Sequence, residues 1–152
     1  MNTKRLLSVA GLAATLGLMI YVFVNRSSIP EYVTEKDYNH VMTSIQEGLL
    51  KRGYKIEKIQ PIDQGLAKAG LKIQKYRVIF YHPKQSIELI QKKYPKFSAL
   101  LPLSITIAKD KDKLKIIDMP YRILYENAKQ KDLISQIKLW EKDSKEIIKN
   151  AL

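Results

Sequence analysis

The chain has 152 residues, a formal net charge of +12 and no cysteine. That length supports a single domain with a modest core. The absence of cysteine excludes disulfides, thiol catalysis and thiolate metal sites together.

The first predicted element is apolar. Leu6 to Val24 reads LLSVAGLAATLGLMIYVFV and carries no charge. A helix rises about 1.5 Å per residue, so such a run approaches the roughly 30 Å hydrocarbon thickness of a bilayer. A cleaved leader would need a small residue where Arg26 stands, three positions before a cut after Ser28, and a lipoprotein would need a cysteine. The sequence therefore predicts a transmembrane anchor over 6–24, preceded by a cytoplasmic N-terminus at 1–5 and followed by a linker at 25–30. Lys4 and Arg5 precede the run, while Arg26, Glu31 and Glu35 follow it. Basic flanks stay inside. The expected location is the plasma (inner) membrane, single-pass, with the C-terminal domain extracytoplasmic and the lipid bilayer as its partner.

Glu31 to Thr34 reads as a short strand. Asp37 is placed to cap a helix running to about Arg52, with Tyr38, Val41, Met42, Ile45 and Leu49 on one face and Gly53 as its C-terminal stop. Tyr54, Ile56 and Ile59 suggest a second strand, and 64–70 a loop or short helical turn. Tyr76 to Tyr81, YRVIFY, is β-branched and aromatic on both faces and reads as a central strand. A second helix is expected from Pro83, with Ile87, Ile90 and Tyr94 as its stripe and Pro95 as its end. Leu103 to Ala108 alternates as a strand, 110–113 is a polar turn, and Leu114, Ile116 and Ile117 return as its hairpin partner. Pro120 opens a short helix through Tyr125. An amphipathic C-terminal helix fits 132–152, with Leu133, Ile137, Trp140 and Ile148 on one side. Its acids and lysines nearly cancel, which favours docking on the same chain or a partner over lying on lipid. Strand pairs alternating with single helices predict an α+β domain over 31–131, mostly antiparallel, with helices packed on one face.

Few residues suggest chemistry. His40 sits in the first helix without a partner at metal spacing. His82 lies where the strongest strand meets a proline, a junction that suits either a ligand contact or a structural histidine. Asp118 follows the last strand; it reads as a cap of the Pro120 helix or as a site carboxylate. Asp110 and Asp112 lack the further oxygens of a calcium loop. No nucleophile elbow, phosphate loop or dinucleotide fingerprint is present, and the aromatics fall at no regular spacing among the basic residues, which disfavours nucleic acid. Tyr81, His82 and Asp118 are the candidate ligand-binding residues; no metal, cofactor or catalytic set is expected.

Several segments in order carry a resemblance. They are Leu49-Leu50-Lys51-Arg52-Gly53, Ile62 to Leu71 with its alanine-glycine-leucine ending, Arg77 to Pro83, Leu101-Pro102-Leu103 and Asp118-Met119-Pro120. Together they make 37–132 resemble the bacterial and archaeal family called domain of unknown function 302. The chain departs from the family pattern where Tyr81-His82 replaces a glycine-asparagine pair, and no histidine stands near Asp63. The resemblance implies a fold similar to the TATA-binding protein, an antiparallel sheet with flanking helices, and implies no activity. The functional expectation is a membrane-anchored, extracytoplasmic binding or accessory protein without catalytic machinery, with an unknown small ligand, self-association or an envelope protein as partner. The alternative is an envelope enzyme or metal-dependent protein using His82 and Asp118.

Overall fold

The computed structural model describes residues 29–84 and 87–152. Their order is β1 (Glu31–Thr34), α1 (Tyr38–Lys51), β2 (Tyr54–Pro61), α2 (Ile62–Lys68), β3 (Tyr76–Pro83), α3 (Ile87–Lys93), α4 (Pro95–Ser98), β4 (Leu103–Asp110), β5 (Lys113–Asp118), α5 (Arg122–Asn127) and α6 (Lys131–Ala151). The five strands form one sheet in the order β1-β5-β4-β3-β2, and every neighbouring pair is antiparallel.

Side-chain alternation sets the two faces of this sheet. Ile79 opposes Ile105, Ile105 opposes Asp118, and Tyr81 opposes Leu103. All five are buried, together with Ile107, Leu114 and Ile116. The helices supply the facing layer: Val41, Ile45 and Leu49 from α1, and Leu133, Ile137, Trp140, Ile147 and Ile148 from α6. The intervening strand residues Val78, Phe80, Thr106 and Ile117 are only partly buried on the other face. This is the expected α+β domain with helices gathered on one side.

The local causes are plain. Asp37 Oδ1 accepts from the backbone amides of Asn39 at 2.8 Å and His40 at 3.0 Å, capping α1. Gly53, at φ +76°, turns the chain from α1 into β2, a conformation that disfavours any side chain with a Cβ. Gly48 lets α1 and α6 approach: a Cβ there would lie 2.9 Å from Ile147 Cγ2. Arg77 sits in the buried register opposite Pro61 and Ile107, and its guanidinium pairs with Asp63 at the start of α2.

The expected fold needs one substantive correction. No helix among the described residues is long and apolar enough to cross a membrane. The run at 6–24, on which a preceding transmembrane helix was expected, lies outside the described residues, so the described fold is the α+β domain alone. Smaller differences are boundaries. Pro83 ends β3 at its last pairing with Tyr54 instead of opening a helix. At a strand end a missing amide breaks no ladder bond. Residues 62–68 are helical, Pro95 starts a short helix instead of only ending one, and the helix after Pro120 begins at Arg122. The C-terminal stripe docks on the same chain: Leu133, Ile137, Trp140 and Ile148 are all buried against the sheet and α1.

Candidate functional site

Tyr81 and His82 are consecutive on β3, so they point to opposite faces. Tyr81 is 1% exposed on the helix side. Its hydroxyl lies 3.3 Å from that of Tyr121, which donates to the Trp140 carbonyl at 3.3 Å. Asp118 belongs to the same interior and is 1% exposed. Its Oδ1 accepts from Ser144 Oγ at 2.8 Å and from the Met119 amide at 2.9 Å, while Oδ2 has no hydrogen-bond partner among the described residues. Burial pushes the Asp118 carboxyl up to about 6, against the opposing hydrogen bond from Ser144. Burial likewise raises the phenols of Tyr81 and Tyr121. The structure thus brings Tyr81 and Asp118 into one buried polar cluster that ties α6 to the sheet.

His82 is not part of it. On the other face its Nε2 lies 2.5 Å from Glu57 Oε1, and Lys55 Nζ lies 2.9 Å from the same oxygen. Lys55 and then His82 hold the Glu57 carboxyl below its ordinary range. His82 and Asp118 therefore lie on opposite sides of the sheet and share no ligand position. His40 is exposed. Among the described residues no group of three or more His, Cys, Asp or Glu side chains is arranged to hold a metal.

A cleft of about 480 Å³ opens instead at one end of the sheet, where the β2–β3 pair meets α3 and α6. The Lys84 amide donates to the Gly53 carbonyl at 3.0 Å, closing the ladder at its edge. Ile90, Leu133 and Trp140 line it as buried residues. Leu89 and Leu139 also line it, yet they remain 60% and 49% exposed. The acids in the lining are engaged. Asp143 pairs with Arg52 and accepts from the Tyr54 hydroxyl at 2.8 Å, and the second arm of Arg52 reaches Glu146 at 2.7 Å. Asp132 accepts from Lys93 Nζ at 2.7 Å and from the Tyr94 hydroxyl at 2.6 Å. Those two bonds, Lys93 first, hold the Asp132 carboxyl down to about 2. Burial, helped by Asp143, raises the Tyr54 phenol. Lys84 also lines the cleft, and among the described residues no acidic side chain pairs with it.

The arrangement can seat an apolar body against leucines and present a cation to its polar end. Sequence reasoning singled out none of these residues as a site. One signal was available: Leu139 follows Lys138 and lies off the stripe of Leu133, Ile137 and Trp140, an apolar residue on a polar flank.

The family described as "Domain of unknown function DUF302" matches residues 31–151, through the end of α6 and so beyond the 37–132 span of the motifs. The fold is similar to a crystal structure described as an uncharacterized conserved protein DUF302 from Bacillus stearothermophilus. The TM-score is 0.70 at 14% identity, over 80% of this chain and 98% of that one. No curated protein matches the chain.

Proposed function

This chain belongs to the DUF302 family, and we propose that it is a non-enzymatic binding or accessory module whose small ligand seats in the cleft between the β2–β3 end and α6. One feature supports this most: Leu89 and Leu139 are left exposed at the mouth of a concave site whose acidic groups are already paired. Ligand sites are typically clefts of about 300–1,000 Å³ with apolar walls and few polar groups. Self-satisfied carboxylates serve binding better than acid–base chemistry, which needs a group free to take up or release a proton near neutral pH.

The module works at the cell envelope, extracytoplasmically, in this proposal. That part draws on sequence only: the charge-free run 6–24 and its basic flank Lys4 and Arg5, which lie outside the described residues. Fractionation of cells producing the full chain checks it, and recovery of the intact protein in the soluble fraction counts against it.

The binding reading is tested by thermal-shift screening of a small-molecule panel against the full chain and against Leu139→Asp. Because Leu139 is 49% exposed, the variant should melt within about 0.5 kcal/mol of the wild type. It should lose the shifts that the wild type shows. Compounds that stabilise both proteins equally would place their site elsewhere.

A further inference from the structure

Resting on that binding reading, we propose that the ligand is a free single-chain amphiphile, its apolar tail along Leu89, Leu139 and Trp140 and its anionic head at Lys84. The tail assignment follows from the lining. Ile90, Leu133 and Trp140 are buried, while Leu89 and Leu139 leave large apolar side chains uncovered at the same opening. Covering such surface is favourable in proportion to the apolar area removed from water.

The head assignment follows from charge. A cationic head would meet Asp143 and Asp132, but Arg52 and Tyr54 hold the first and Lys93 and Tyr94 the second. It would have to break one of these pairs to bind. A carboxylate, sulfate or phosphate head meets the Lys84 ammonium, which has no acidic side-chain partner among the described residues. The chain's net charge of +12 biases the approach of an anion in the same direction.

Trp140 lines the cleft and is the chain's one tryptophan, so its fluorescence reports occupancy directly. The full chain is titrated with dodecanoate, dodecanol and dodecyltrimethylammonium below their aggregation concentrations, and with phosphatidylglycerol vesicles. Dodecanoate should give a saturable change and bind up to about fivefold tighter than the neutral or cationic chain, the worth of one exposed ion pair. Lys84→Glu should remove that preference without altering dodecanol binding, and Leu89→Asp should weaken all three. Equal affinity for the three heads overturns the anionic assignment while leaving the cleft as the binding site. A response to vesicles without one to dodecanoate overturns the free amphiphile. Silence toward all of these, while a polar compound from the screening panel binds in the cleft, overturns the amphiphile class. Silence toward every compound overturns the binding module itself.

Discussion

Asp118 shows what a single residue contributes that its neighbours in sequence do not announce. Its place before Met119-Pro120 suggested a helix cap, yet α5 begins at Arg122 with no side-chain cap. The hydroxyl that Asp118 holds belongs to Ser144, 26 residues on, and no local pattern encodes that pairing. The groups that bear on it come from several elements around it: Tyr32 on β1, Tyr81 on β3, Tyr121 before α5, and Glu141, Ser144 and Lys145 on α6. The folded pKa of about 6 stands above the ordinary 3.8. The native state therefore binds the proton more tightly than the unfolded chain. The stabilisation this gives is fully present below the unfolded value and is lost as pH rises through about 6. Two units correspond to roughly 3 kcal/mol. Asp118→Asn cannot titrate, so its stability relative to wild type should improve by up to that amount between pH 4 and pH 7.5. Thermal melts of both proteins across this range check it; a gap that stays constant with pH would show that Asp118 does not protonate in the folded state.

At the scale of elements, the sequence was most legible where periodicity was long. The stripes of α1 and α6 and the alternation of β4 and β5 carried enough repeats to identify each element and its buried face. Short elements were not legible in this way. The seven residues of α2 bury nothing, and four residues make α4. Pro83 misled because a proline that opens a helix and one that ends a strand satisfy the same missing amide. What no periodicity shows is how α1 and α6 meet. Gly48 lies on a partly buried flank of α1, and its lack of a Cβ accommodates Ile147. Arg52 then clamps the pair from the end of α1 onto Asp143 and Glu146. Gly48→Val should force the helices apart and destabilise the domain by about 1–3 kcal/mol, the usual range for overpacking. Denaturant unfolding measures this, and an unchanged midpoint would mean that the two helices can slide without loss.

For the molecule as a whole, fold and site differ in how far apart their determinants lie. The strands and helices are each written in a contiguous stretch, and the ordered motifs led to the family that the match over 31–151 then established. The cleft gathers Arg52, Pro83, Leu89, Asp132, Leu139 and Asp143 from four separate segments. Their proximity exists only after α6 has folded back across the sheet. The candidate residues chosen from sequence were strand-end groups: two of them, Tyr81 and Asp118, proved to be interior, and His82 faces the other side. Likeness in fold to another DUF302 protein at 14% identity says nothing of what either binds. The proposed ligand site lies at the β2–β3 end of this fold. Amide and indole chemical-shift mapping on the isotope-labelled full chain, titrated with the best compound from the thermal screen, tests it most directly. The largest shifts should fall on Gly53, Tyr54, Leu89, Leu139 and the Trp140 indole. Shifts centred on Val78, Phe80 and Ile117, on the opposite face of the sheet, would contradict it.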